Sequence, residues 1–197
     1  MCSDLLPSFC QLEAPSMLSP MRKTIADYMA YDEERVELID GEFLVTPAPM
    51  VPHQRIVRNL YRLLDPQIER LKLGESILSP VDCFLADDCA VQPDFVFVLT
   101  VHADRVRNQV HGPPDVAMEI LSPSHRKRDL EIKLKLYRKH GVPEYWIVDP
   151  KNETVTVRVL ESGDWRILGA WKRGETAESH VMRGVTAPVD SVFGPRG

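Results

Sequence analysis

The 197-residue sequence predicts an α/β fold of the α+β type: a central mixed β-sheet flanked by helices, with an N-terminal hairpin and a C-terminal β-meander. Three observations predict it. Two stretches, 53–72 and 126–140, carry apolar residues at helical spacing. Short apolar runs near 36–45, 76–85, 94–99, 115–121 and 144–148 have strand length and are bounded by Gly, Pro or Asp. Their order is helix, hairpin, helix, several strands, helix and further strands, which is the order of a layered mixed sheet.

Residues 1–20 read as a loose leader and 21–197 as a single domain, long enough for an ample core. The leader holds Asp4, Glu13 and three prolines, without the basic start and apolar run of a signal peptide. Met17 or Met21 could equally be the true start. Thr24 is placed to cap a short helix to about residue 30. Asp40-Gly41 between two short apolar runs signals a hairpin. Pro47, Pro49 and Pro52 stiffen the connection into the helix over 53–72. There Ile56, Val57, Leu60, Leu63, Leu64, Ile68 and Leu71 share a side, and Pro66 is expected to kink or split the helix. Residues 76–85 read as one strand with Asp87-Asp88 as its turn, 94–99 as the next, and 100–112 as a loop or short extra helix. A strand over 115–121 leads to the helix over 126–140, which Gly141 and Pro143 stop. Residues 144–148 read as a buried strand, 154–160 and 165–171 as the outer meander, and the last dozen residues as peripheral.

The net charge of −5 excludes a global basic field, so a nucleic-acid partner would be held by local patches. The stretch 126–140 is one, with seven Lys/Arg against Asp129 and Glu131, although a solvated helix face accounts equally well for its outward members. Cys2, Cys10, Cys83 and Cys89 form no CxxC pair and read as free thiols of a reducing, cytoplasmic compartment. No apolar stretch is long enough to span a membrane. There is no P-loop, Gly-rich dinucleotide turn or HExxH motif, and Ser122 or Ser124 with His125 has no oxyanion-hole partner.

On a helical wheel of ~100° per residue, Lys133 falls at the middle of the apolar half made by Leu130, Ile132, Leu134, Leu136 and Tyr137. A buried ammonium is costly unless an anion meets it. Asp94 and Glu119 each place a carboxylate on an otherwise apolar strand. Two acids and a lysine directed into one interior region make a site for a divalent cation and a phosphate; the alternative is a structural ion pair. Asp115 shares a strand face with Glu119 but lies about 13 Å along it. Asp94 and Glu119, on strands that can pair, are therefore the preferred couple, and Asp115 reads as a strand-entry acid. Glu37 interrupts another apolar run, as a ligand, a supporting group or a solvent-facing residue. His53, at the centre of its helix's apolar side, reads either as a packed or capping histidine or as a neighbour of the site.

Five segments occur in order: 36–42 (VELIDGE), His53-Gln54, 92–94 (QPD), 119–124 (EILSPS), and Asp129-x3-Lys133-x3-Tyr137 running into 141–150 (GVPEYWIVDP). Together they resemble the Uma-type restriction endonuclease family, a branch of the PD-(D/E)XK nuclease superfamily, over roughly residues 24–160. The resemblance implies a restriction-endonuclease-like core and Mg2+-dependent hydrolysis of phosphodiester bonds in DNA, with Mn2+ as a substitute. Asp94 and Glu119 would ligate the metal, and Glu37 matches an acidic position near the family's site. The superfamily pattern wants lysine two residues after the acid. That position is Leu121, so the lysine would come from the next helix, as Lys133. Lys133 would steady the transition state, with Tyr137 packed beneath it and Gln92 at the rim. Arg126, Lys127 and Arg128 would meet the phosphate backbone. A homodimer is implied for cutting two strands. The alternative is a nuclease fold kept only for binding nucleic acid or a protein partner.

Overall fold

A computed structural model describes residues 22–32, 35–122, 126 and 128–195, with backbone alone at 128 and 129. The expected leader, with Cys2 and Cys10, lies outside the described residues, as do Ser124, His125 and Lys127. Thr24 caps α1 (Ile25–Met29) in a reciprocal capping box with Asp27. β1 (Val36–Ile39) and β2 (Glu42–Val45) form the expected hairpin. Its two turn residues, Asp40 and Gly41, both have positive φ, the backbone an Asp-Gly turn adopts most readily.

α2 (Val51–Leu71) follows as one continuous helix. The expected break at Pro66 does not occur. Leu64 and Ile68, buried on either side of it, hold the axis on the sheet, while Pro66 itself is exposed. The strand expected over 76–85 is two strands in different sheets: β3 (Gly74–Leu78) and β4 (Cys83–Ala86). Between them, Ser79-Pro80 interrupts the ladder, since proline has no N–H to donate. β5 (Cys89–Val91), β6 (Phe95–Leu99), a 3-10 turn over Thr100–Arg105, β7 (Val110–His111) and β8 (Val116–Ile120) come next.

The stretch expected as a regular α-helix is π-helical over Arg128–Lys133 and α-helical only as α3 (Leu134–Lys139). The wider turn changes the phase of the wheel. Ile132, assigned to the apolar half, is 41% exposed, while Lys133 is buried. β9 (Glu144–Asp149), β10 (Thr154–Glu161), β11 (Asp164–Lys172), β12 (Thr176–Glu178), β13 (Thr186–Pro188) and α4 (Val189–Phe193) complete the chain.

Among the described residues the central sheet runs β11-β10-β9-β8-β6-β3, with β8 and β9 parallel and the other pairs antiparallel, the mixed sheet that the sequence predicts. The hairpin belongs to a second sheet, β2-β1-β5-β4-β7. Strand alternation divides the core in two. Phe95, Phe97, Val116, Met118 and Ile120 join the buried side of α2. Val96, Val98 and Ala117 join Leu136 and Tyr137 of α3 and the second sheet. Glu119 has the parity of Ala117, so it points toward α3. The C-terminal residues are not peripheral: Ala187, Val189 and Val192 are fully buried in the core beneath α2. Their apolar spacing was hidden among Pro, Gly and charged residues. No helix among the described residues is long and apolar enough to cross a membrane.

Two predictions test this packing. Val192→Ala removes two buried methylene equivalents and should lower the unfolding free energy by about 1–2 kcal/mol; an unchanged urea midpoint would place α4 outside the core. His140 ends α3 with Nε2 buried and without a hydrogen-bond partner, and burial, then Lys139, lowers its pKa. The unfolded chain therefore takes up this proton first, and stability is lost as pH falls below about 6.5. Urea titrations between neutral and mildly acid pH should show a shallower loss for His140→Gln than for the parent; equal slopes would contradict it.

Candidate active site

Three elements bring the charged residues together. β1 supplies Glu37, β8 supplies Glu119, and the junction of the π-turn with α3 supplies Lys133. Lys133 Nζ donates to Glu37 Oε1 at 2.8 Å and to Glu119 Oε1 at 2.6 Å, with its side chain 1% exposed. One turn on, Tyr137 Oη donates to the same Glu119 oxygen at 2.7 Å. The Lys133 amine lies 5.8 Å from the Tyr137 ring centroid, so the expected packing of the two is present. Burial by itself would lower the lysine pKa, but the Glu119 and Glu37 charges outweigh it and hold it above the ordinary value. Burial, and then the Glu119 charge, pushes the Tyr137 phenol well up, so it stays a donor.

Asp94 stands at the entrance of β6. The register that sets Phe95 against Met118 brings it alongside Glu119 when extended by one residue. Its Oδ2 accepts the Ile120 N–H at 2.8 Å and meets His53 Nε2 at 3.1 Å. Since an ionised carboxylate only accepts, Nε2 carries the proton in this contact. His53, in the first turn of α2, thus touches Asp94. Asp94 is not among the ion-pair partners of Lys133, which are Glu37 and Glu119.

Gln92 serves Glu37 through its main chain, donating its N–H to Oε1 at 2.9 Å. Its amide side chain turns to Asp82 Oδ1, 2.9 Å away, which also receives the Tyr28 hydroxyl at 2.7 Å. Asp82 and Tyr28 are not marked by the sequence pattern. A polar residue after a Pro-Val in a strand connection carries no periodic signal. Asp115, buried at the far end of β8, accepts from Leu99 N–H at 2.8 Å and faces His102 Nδ1 at 2.8 Å, which fits its reading as a strand-entry acid. Of the basic run, Arg126 places Nη2 3.0 Å from Asp149 Oδ2. Lys127 lies outside the described residues, and only the backbone of Arg128 is described.

The donor set is oxygen alone, from Asp94, Glu119 and Glu37. Lys133 faces two of them, Glu37 and Glu119. Carboxylate oxygens suit a hard divalent cation. Among the described residues no group of three or more His, Cys, Asp or Glu is arranged to hold a metal. Mg2+ needs fewer: one or two carboxylates complete their set with water and substrate phosphate. Asp94 and Glu119 fit that requirement.

A family model described as "Uma2: Putative restriction endonuclease" matches residues 25–190. Among solved structures, a crystal structure of a "putative nuclease belonging to DUF820" from Anabaena variabilis is similar, with a TM-score of 0.72 at 18% identity. The match covers 86% of this chain and 97% of that one, and at this identity it speaks for the fold. No curated protein matches the sequence.

The ion-pair geometry generates one prediction. Lys133→Met leaves two buried carboxylates without their cation and should cost about 3–5 kcal/mol. Adding Glu37→Gln and Glu119→Gln to that variant should restore much of the loss, because the uncompensated charge goes with them. Thermal melts of the single and triple variants read this directly; a triple variant no more stable than the single would show that the lysine acts through packing alone.

Proposed function

The chain belongs to the Uma2 restriction endonuclease family, and from that premise we propose that it is a Mg2+-dependent endonuclease hydrolysing phosphodiester bonds in DNA. The observation that carries the reading is the convergence of Glu119, Lys133 and Glu37, with Asp94 on the adjoining strand, in a fold shared with a nuclease. Asp94 and Glu119 would hold the metal. When bound, Mg2+ acidifies a water and neutralises charge on the phosphate.

The protein's own residues do the rest. His53 and the Ile120 amide fix the Asp94 carboxylate. Tyr137 and Lys133 fix Glu119. Lys133 stays protonated at any working pH, because two carboxylates face it, and its charge favours the extra negative charge that develops on phosphorus. Glu37, itself held by the Gln92 N–H, sets the direction of the amine. Arg126, Lys127 and Arg128 are the proposed phosphate contact, with Arg126 shared with Asp149. Double-strand cutting by a homodimer belongs to the same proposal. So does a cytoplasmic location, in keeping with the buried free thiols of Cys83 and Cys89, the latter with its pKa pushed up to about 12 by burial.

A second reading has an observation of its own. The Lys133 amine is spent on two buried carboxylates, the arrangement of a structural ion pair, and a nuclease fold used only for binding would keep it. Nicking of supercoiled plasmid separates the two. With Mg2+ or Mn2+ the parent should nick, chelation should abolish it, and Asp94→Asn, Glu119→Gln and Lys133→Met should each slow it by about 100-fold or more. Melting curves show whether each variant is folded. Absence of nicking with every metal, together with DNA affinity that no metal alters, favours the binding module.

A further inference from the structure

We propose that the outer face of the N-terminal half of α2 is the track along which the phosphate backbone of a nucleic-acid strand reaches the site. The inference rests on the nucleic-acid reading above and names the surface that reading lacks. Arg55, Arg58 and Arg62 are exposed and share the side of α2 opposite its buried stripe of Ile56, Val57, Leu60 and Leu64. Among the described residues none of the three has a carboxylate partner, whereas Arg138, Lys139, Arg166 and Arg173 each have one. Unpaired guanidinium groups held in a row on a rigid helix, in a chain of net charge −5, are a local and directed field.

The spacing suits a phosphate chain. At 1.5 Å per residue the three arginines span about 10 Å, the axial length of roughly three phosphates of one duplex strand. Arg55 and Arg58, with Gln54, Val51 and Pro49, line a groove of about 350 Å³ at the start of the helix. That start carries His53, which holds Asp94. Further along the same side, Asp65, which accepts from Ser76, and Glu69 follow the arginines, so the row is interrupted beyond Arg62, with Arg70 standing in the last turn and Lys72 at its cap. An anionic strand is thereby held toward the end of α2 that carries His53 and meets Asp94.

The test is salt-dependent binding of a short fluorescein-labelled DNA duplex to the full chain in chelator, read by anisotropy. Removing one arginine–phosphate interaction should lower the slope of log affinity against log salt by about 0.9. Arg55→Gln/Arg58→Gln/Arg62→Gln should therefore reduce the slope by about 2.7 and bind at least tenfold more weakly near 0.1 M salt. The charge-matched Lys151→Gln/Lys172→Gln/Arg183→Gln should not. Arg55→Lys/Arg58→Lys/Arg62→Lys should keep the parent slope. All three variants change exposed side chains, and melts should match the parent. A triple glutamine variant with the parent slope, or an equal reduction in the charge-matched control, overturns the track. So does polyglutamate of matched charge binding as tightly as DNA. If the parent nicks plasmid while the slope is unmoved, the track is wrong and the nuclease reading survives. If the slope falls but no metal supports nicking, the track stands and the hydrolytic reading fails.

Discussion

A single buried ammonium ties the molecule together. Lys133 comes from the helical layer, Glu119 from the central sheet and Glu37 from the hairpin sheet, and all meet within hydrogen-bond distance. Removing these charges from water costs several kcal/mol per ion, and their mutual attraction does little more than repay it. The gain is specificity of arrangement. Apolar residues of the two sheets could slide past one another at modest cost, but a displaced sheet would strand a charge in the interior. The ion pair thus fixes the relative position of three layers that hydrophobic contact alone would leave loosely defined.

The local structure bends to serve that meeting. A regular α-helix through 128–139 would have set both Ile132 and Lys133 with the apolar side; with the π-turn, Ile132 is exposed while Lys133 stays buried just before the α-helical register resumes. Such turns recur at functional positions because they redirect one side chain without ending the helix. The carboxylates are held by similarly specific means. Among the described residues the Gln92 N–H meets Glu37, the Ile120 N–H and His53 meet Asp94, and the Tyr137 hydroxyl and Lys133 meet Glu119.

Much of this was legible in the sequence, for a physical reason. A charge inside an apolar run is a local anomaly, so Glu37, Glu119 and Lys133 stand out without knowledge of the fold. Strand parity then sends Glu119 toward the helix that carries Lys133. Partnership is not local in the same way. Glu37, rather than Asp94, pairs with the lysine because the hairpin joins a second sheet, and nothing between residues 36 and 45 reports that. The change of sheet at Ser79-Pro80 was marked by a proline that strand-forming neighbours outvoted. Asp82, Tyr28 and the tie of Arg126 to Asp149 depend on encounters across the fold, which periodicity does not encode. The burial of Val189 and Val192 was missed because a helix of five residues is too short to show a period.

The separation of the partners along the chain bears on how the protein is made. Glu37 and Lys133 are 96 positions apart, and Glu119 and Lys133 only 14. During synthesis the hairpin emerges first and holds its acid in water until the last layers arrive. The nearer glutamate and the lysine can find each other early, but they can be dehydrated only when the hairpin sheet closes over them. Closure of so long a loop belongs to the slow, non-local class of folding events. Until then the nascent chain keeps its future interior wet.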